Sequence, residues 1–299
     1  VHNRGGQLDT MRHSPERVPP EHHQTTWATE CALEFMKIES PNPWLLCVNI
    51  YDPHPPFIPP KIYAEMFEPE QMPGPYYRHE DLETQKQLEE IDFQGEALPP
   101  EEHDAKRVQA YYYAMIKQID DQFQRIIDHL NETDQLENTV IIFTSDHGYH
   151  LGEHDMWQKV SIHEESAKVP LIICVPGKKP AVCHSLSELI DLYPTVSSLC
   201  GLKIPGNIQG KDISGMLDDP AVKVRDAVLS SGKGRLLRTE KWALLDYGKN
   251  GELYDMEKDP RQYTNLINDP EYAKTLADLR AKLKAKLSEI GKNDLGAKR

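Results

Sequence analysis

The chain has 299 residues, of which 38% are hydrophobic and 27% are charged. This composition is typical of a folded protein and too apolar for a disordered one. The 48 acidic and 34 basic residues give a formal net charge of −14, which repels phosphate backbones and excludes nucleic acid as a partner. The longest apolar segments span about eight residues, well short of the ~20 that a membrane-spanning helix needs. Because the net charge is −14, the negative charge of an anionic substrate would have to be compensated at the binding site itself, by a bound cation and a few basic side chains.

The first predicted elements are a helix and a strand. Residues 27–38 place apolar side chains on one helical face. Pro43–Tyr51 is a nearly continuous apolar run, which predicts a strand buried on both faces, as in a parallel sheet, with Cys47 as a buried thiol. The stretch Asp52-Pro53-His54-Pro55-Pro56-Phe57 follows at once, and its prolines end the strand.

The middle of the chain contains a long loop, a helix and two strands. Residues 62–104 lack periodicity and are rich in proline, which predicts a functional or mobile loop. Residues 104–130 keep one apolar face and predict a long helix. The apolar runs Asn138–Asp146 and Val169–Val175 predict buried strands, with Cys174 as a second buried thiol. This order of elements predicts an α/β fold with a largely parallel sheet.

The character of the sequence changes near residue 220. Short predicted strands separated by Gly-rich turns follow, and a final helix begins at Asp269-Pro270, where Asp caps and Pro suits the first turn. The predicted strands lie at 228–230, 235–238, 242–247 and 253–254. We therefore predict two regions: residues 1–219 form the main α/β portion, and residues 220–299 form a small antiparallel α+β subdomain.

Two predicted strands end in residues suited to ionic chemistry. Asp52 and His54 follow the first, and Asp146 and His147 follow the second. Ligands of open α/β sheets bind beyond the carboxyl ends of the strands. A carboxylate and an imidazole can both ligate a divalent metal, although two ligands are too few to hold one. The alternative is that Asp146 caps the turn and His147 is an ordinary loop histidine.

Ordered sequence blocks resemble the type I sulfatases of the alkaline phosphatase superfamily, in particular the iduronate-2-sulfatase-like and polysaccharide sulfatases. The strongest blocks are Ser145-Asp146-His147-Gly148, Leu151-Gly152-Glu153-His154, Trp157 with Lys159, Glu164-Glu165 and Val169-Pro170-Leu171-Ile172. Further similar blocks are Tyr51–Phe57, Tyr112–Ile116 with Asp120, Asp191–Thr195 and Gly251–Asp255. The resemblance implies an alkaline-phosphatase-like sandwich with a largely parallel central sheet flanked by helices.

The same resemblance implies a sulfuric ester hydrolase that acts on a sulfated saccharide or a related sulfate ester. It assigns Asp146 and His147 as ligands of one divalent ion, usually calcium, with magnesium or manganese as alternatives; many family members have Asn where His147 stands. It assigns Lys159 to contact the sulfate and assist the leaving oxygen. It assigns His54 to hydrogen-bond the sulfate or to protonate the leaving group. The divalent ion, Lys159 and His54 would supply positive charge around the sulfate, which the net charge of −14 does not provide.

The chain departs from the family pattern at the nucleophile. Family members carry Cys-x-Pro-Ser-Arg or Cys-x-Ala-x-Arg, whose Cys or Ser becomes formylglycine, and none of the five cysteines here is followed by that pattern. The family's Asp-Asp pair after the first strand and its Gly-Lys-x-x-His stretch are also absent from these 299 residues. The resemblance therefore places the nucleophile N-terminal to this sequence and predicts that the 299 residues alone are inactive.

Other interpretations stay open at this point. The Asp-His block also suits a phosphonate monoester or phosphodiester hydrolase of the same superfamily, and a non-catalytic sulfatase-like binding module could keep the fold. His150 and His154 could line the pocket or serve in loop packing, and Glu164 and Glu165 could act as acid–base groups or as caps.

The sequence opens without a secretory signal pattern, whereas the resemblance implies export to the periplasm, the extracellular space or the lysosome. No motif indicates the oligomeric state or the exact substrate.

Overall fold

The computed structural model describes residues 18–81, 83, 104–159 and 161–290. The chain divides into two compact units. The first consists of Val1–Val140 and Leu151–Trp157, and the second consists of Ile141–His150 and Gln158–Arg299. The predicted boundary between residues 219 and 220 falls inside the second unit and stays a prediction.

The first unit is helical in its described residues. Its helices are α1 (Gln24–Met36), α2 (Lys61–Ala64) and α3 (Ala105–Glu132), with 3₁₀ turns at Pro20–His22, Pro69–Gln71, Leu136–Asn138 and Glu153–Asp155. Helices α1 and α3 pack against each other, and the buried residues of α1 are three threonines beside three apolar residues: Thr25, Thr26, Thr29, Ala32, Leu33 and Met36. Both predicted helices are confirmed. Helix α1 begins earlier than predicted because buried His23 caps it, with Nδ1 3.5 Å from the Thr25 amide nitrogen.

The apolar segment before Asp52 is extended but does not form a strand. Its side chains alternate between exposed and half-buried positions, and Leu45 is 78% exposed. The prediction of a strand buried on both faces is wrong for the described structure, since no described segment forms a hydrogen-bonded ladder with it. Cys47 is exposed for the same reason, and the prediction that Cys174 is buried is also wrong, since Cys174 is exposed.

The long loop predicted at residues 62–104 is described only in part. Most of helix α2 and the turn Pro69–Gln71 lie within it, and residues 82 and 84–103 lie outside the described residues.

The second unit contains a strand pair and a four-stranded sheet. Its strands are β1 (Ile141–Thr144), β4 (Leu171–Cys174), β5 (Val228–Ser231), β6 (Arg235–Arg238), β7 (Trp242–Asp246) and β8 (Gly251–Asp255). Two further strands of two residues each, β2 (His150–Leu151) and β3 (Trp157–Gln158), span the points at which the chain leaves one unit for the other. Its helices are α4 (Glu164–Ala167), α5 (Leu192–Leu199) and α6 (Ala273–Ile290).

Strands β1 and β4 pair antiparallel, with Thr144 opposite Leu171 and Ile141 opposite Cys174. The predicted parallel arrangement is therefore wrong for this pair, and the three strand pairs of the four-stranded sheet are antiparallel as well. The connection brings the chain back to the end at which it leaves β1, since Thr144 lies opposite Leu171. A parallel pairing needs a long crossover that returns the chain to the starting edge.

The C-terminal sheet runs in the order β5-β6-β7-β8, with every neighbouring pair antiparallel. Its apolar face packs against α6 through Leu237, Leu244, Leu253, Leu279 and Leu283. The predicted short strands and the final helix are confirmed. Among the helices that the structure describes, none combines the length and apolar character that crossing a bilayer requires.

Candidate functional site

Asp146 and His147 lie directly after β1, as the motif predicts. Asp146 Oδ1 accepts a hydrogen bond from the His147 amide at 2.9 Å, and Asp146 Oδ2 is 3.7 Å from His147 Nε2. The Asp146 side chain is 86% exposed. His147 Nδ1 lies 2.8 Å from the Gly148 carbonyl oxygen. Because a carbonyl can only accept, Nδ1 carries the proton and neutral His147 keeps its lone pair on Nε2.

This pair suits a divalent cation chemically. A metal-binding histidine commonly donates its other ring N–H to a backbone carbonyl, which is the arrangement of His147. The exposed carboxylate and Nε2 are close enough to face one ion. Calcium takes 6–8 ligands, however, and the described residues contain no group of three or more His, Cys, Asp and Glu side chains that could hold a metal. The pair can supply two ligands of such a site.

Gly148 allows the Asp146–His147 turn to pack closely against α4. Its amide donates to the Ser166 carbonyl at 2.8 Å. A Cβ atom at Gly148 would overlap the Glu165 carbonyl oxygen and lie 2.9 Å from the carbonyl carbon. The turn can approach the helix this closely only because residue 148 has no side chain.

Lys159 follows β3 and is fixed by the same helix. Its carbonyl oxygen accepts a hydrogen bond from Ser166 Oγ at 2.8 Å. Its side chain is partly exposed, and within the described residues its ammonium makes no ion pair. Lys159 therefore offers an uncommitted positive charge in the second unit, where Asp146 and His147 also lie.

His54 belongs to the first unit, in the turn after the extended segment. Asp52 anchors this turn: it is buried, accepts from Gln24 Nε2 at 2.8 Å and from Thr25 Oγ1, and lies 3.3 Å from His23 Nδ1. His54 Nδ1 is 2.7 Å from the Pro55 carbonyl oxygen, so Nδ1 carries a proton and Nε2 is the atom that can gain or lose one.

His150 and His154 are both buried. His150 is 0% exposed in the second unit, with Nε2 2.6 Å from Ser161 Oγ. His154 is 4% exposed in the first unit, where its ring meets Tyr76 edge-on and its Nδ1 is 3.5 Å from Asp81 Oδ1. Their burial supports loop packing, and a role in lining a pocket remains a prediction.

Glu164 and Glu165 do not act as helix caps. Glu164 Oε1 accepts from Arg238 Nε at 2.8 Å and so ties α4 to β6. Burial raises the pKa of the Glu165 carboxyl. Both carboxylates sit on the helix that supports the Asp146–His147 turn and Lys159.

A buried histidine–carboxylate pair was missed by sequence reasoning. His163 Nε2 lies 2.8 Å from Glu252 Oε2, and the two side chains are 2% and 3% exposed. Burial, together with the negative charge of Glu252, raises the pKa of Tyr254 well above its usual range. Glu252 comes from β8, far along the chain from His163, so no local spacing could have indicated the pair.

Replacing Glu252 by Ala should lower the free energy of unfolding by about 3–5 kcal/mol, since it breaks a buried pair and removes the carboxylate that faces His163 Nε2. Urea unfolding measures the loss. The matched control is Glu34→Ala, which breaks the exposed Lys37–Glu34 pair and should cost less than ~1 kcal/mol. Equal losses for the two variants would contradict a stabilising role of the His163–Glu252 pair.

Sequence similarity covers most of the chain. Residues 5–202 match the family profile described as Sulfatase, and residues 152–289 match the one described as N-sulphoglucosamine sulphohydrolase, C-terminal. An arylsulfatase of Clostridium perfringens is 31% identical over 278 residues, which cover 86% of this chain and 56% of the relative. An N-acetylglucosamine-6-O-sulfatase of Bacteroides thetaiotaomicron is 29% identical over 201 residues, which cover 61% of this chain and 36% of the relative.

The fold is similar to that of a phosphonate monoester hydrolase from Silicibacter pomeroyi, with a TM-score of 0.82 at 24% identity. The match covers 93% of this chain and 62% of the solved one. It confirms the predicted alkaline-phosphatase-like α/β fold class. The chain spans less than two-thirds of the length of each of these three proteins.

Proposed function

Because the chain belongs to the sulfatase family, we propose that it forms part of an enzyme that hydrolyses a sulfate ester of a saccharide. The observation that carries the proposal is the attachment of both the Asp146–His147 turn and Lys159 to the one-turn helix α4. A saccharide substrate is supported by the glucosamine sulfatases named among the matching family and relatives.

Asp146 and His147 would hold a divalent cation through a carboxylate oxygen and Nε2, with further ligands from outside the described residues. When bound, the cation supplies positive charge that offsets the negative sulfate oxygens. We propose calcium, with magnesium or manganese as the alternatives that a binding measurement separates.

Lys159 and His54 would assist departure of the alcohol. When the S–O bond to the alcohol breaks, its electron pair stays on the departing oxygen, which then needs positive charge and a proton. The Lys159 ammonium can donate a hydrogen bond to that oxygen. Protonated His54 can deliver its proton from Nε2, because its Nδ1 is committed to the Pro55 carbonyl.

We further propose that the nucleophile comes from a part of the protein outside these 299 residues, since none of the five cysteines has the family's formylglycine pattern. The family relationship also supports export to the periplasm, the extracellular space or the lysosome. Residues 220–299 would form a subdomain beside the catalytic portion.

The test compares sulfate and phosphate esters in two proteins, the 299-residue chain and the longest natural protein that contains it. The longer protein should hydrolyse 4-nitrophenyl sulfate and glucosamine 6-sulfate faster than bis(4-nitrophenyl) phosphate, and the 299-residue chain should hydrolyse none of them. Faster phosphodiester cleavage would favour the phosphonate or phosphodiester hydrolase. Ligand binding without turnover by the longer protein would favour a binding module. Turnover by the 299-residue chain would place the nucleophile within it.

A further inference from the structure

We propose that Ser166 is a positioning residue, which holds Lys159 at a fixed place relative to the Asp146–His147 turn. The proposal rests on the proposed function of this site. Ser166 lies on α4 and is 5% exposed. It carries no charge and needs to touch neither cation nor substrate. It acts through the two segments that do.

Ser166 is bonded to both functional segments at once. Its carbonyl oxygen accepts the Gly148 amide at 2.8 Å, one residue after His147. Its hydroxyl donates to the Lys159 carbonyl oxygen, also at 2.8 Å. A single buried residue therefore joins the proposed cation ligands to the proposed sulfate-binding lysine.

The two bonds act on different segments. The bond to Gly148 uses the Ser166 backbone, so it survives any change of side chain, and the close approach at Gly148 keeps the turn against α4. The bond to Lys159 uses only the hydroxyl. Removing the hydroxyl should therefore free Lys159 while the Asp146–His147 turn stays in place.

Other polar contacts hold the chain just beyond Lys159. Ser161 Oγ lies 2.6 Å from buried His150 Nε2 and accepts the His163 amide at 3.1 Å. These contacts keep the fold of the segment when the Ser166 hydroxyl is removed, but they do not reach the Lys159 carbonyl. A misplacement of about 1 Å at a reacting group can lower the rate ~100-fold. In Ser166→Ala, Lys159 would become more mobile without being displaced, so we expect a smaller loss of rate, about 10-fold.

The experiment uses three variants. Ser166→Ala removes the hydroxyl and Ser166→Thr keeps one. Ser185→Ala is the matched control, because Ser185 Oγ also donates to a backbone carbonyl of the same unit, that of Val222, at 2.7 Å. In the longest natural protein, Ser166→Ala should lower kcat about 10-fold for an alkyl sulfate and less for 4-nitrophenyl sulfate. A poor leaving group depends more on Lys159. Ser166→Thr should restore kcat, and Ser185→Ala should leave it unchanged.

Cation affinity separates positioning from general damage. Calcium and manganese titrations should give the same affinity for Ser166→Ala as for the unmodified protein, since the Gly148 bond remains. A parallel fall of cation affinity and kcat, or a kcat loss that is equal for both leaving groups, would overturn the proposal. So would a Ser166→Ala protein that behaves like Ser185→Ala.

Hydrogen exchange in the 299-residue chain keeps the test independent of sulfatase activity. The amides of Lys159 and Ser161 should exchange faster in Ser166→Ala than in Ser185→Ala, while the Gly148 amide keeps its protection. If the unmodified protein hydrolyses no sulfate ester, the proposed function fails, yet this exchange pattern still supports the link through Ser166. Equal exchange at Lys159 in the two variants would overturn the link itself.

Discussion

Replacing Asp146 by Ala is expected to lower divalent-cation affinity by more than ~100-fold and to remove sulfatase turnover. Loss of a residue that merely supports a metal ligand already costs 10–100-fold in affinity, and Asp146 would be a ligand itself. Its exposed carboxylate and His147 Nε2 are the two metal ligands proposed at this turn. His147 alone is a weak ligand for a hard cation such as calcium, which prefers oxygen.

Calorimetric titration with calcium and manganese measures this loss in the longest natural protein. The control is Asp218→Ala, which removes another exposed carboxylate of the same unit, one that pairs with Lys178. Cation affinity should not change in the control. Unchanged affinity in Asp146→Ala would show that this turn does not bind the cation, and the alternative of Asp146 as a simple turn cap would then stand.

The variant His147→Asn tests which cation the site prefers. Asparagine offers a carbonyl oxygen in place of the imidazole nitrogen, and oxygen donors favour calcium whereas imidazole suits transition metals. We expect the ratio of calcium to manganese affinity to rise in His147→Asn. A falling ratio would contradict Nε2 as the metal-binding atom.

Much of the fold could be predicted because its signals are local. Helix α3 keeps one apolar face through most of its 28 residues, and the turn before β8 has the Gly and Asn that a hairpin needs. The segment Trp44–Tyr51 shows the limit. Its apolar residues indicate a strand, but pairing depends on a neighbouring strand that the run itself cannot specify, and the described residues provide none.

The candidate site divides in the same way. Asp146, His147 and Lys159 could be predicted because their residue types and spacing form a motif. Ser166 and Glu252 could not, since a serine in a short helix has no distinctive spacing and Glu252 reaches its partner from a distant hairpin. What positions a functional group is set by tertiary contacts, and these leave little trace in a single sequence.

Replacing Lys159 by Ala is expected to lower kcat/KM by about 100- to 1,000-fold, the usual cost of removing one donor that meets developing negative charge. The ammonium makes no ion pair within the described residues, so its charge is available to the departing oxygen. Cation affinity should stay unchanged, because Lys159 is not a ligand. The loss should be larger for an alkyl sulfate than for 4-nitrophenyl sulfate, whose leaving group needs less assistance.

Steady-state kinetics with the two esters measures the effect in the longest natural protein, and Lys178→Ala is the control. Lys178 lies in the same unit but is paired with Asp218, so its loss should leave kcat/KM unchanged. Lys159→Arg should recover part of the activity, since the charge returns on a planar group of different reach. If Lys159→Ala keeps full activity on the alkyl sulfate, assistance to the leaving oxygen must come from another group, and His54 becomes the residue to replace next.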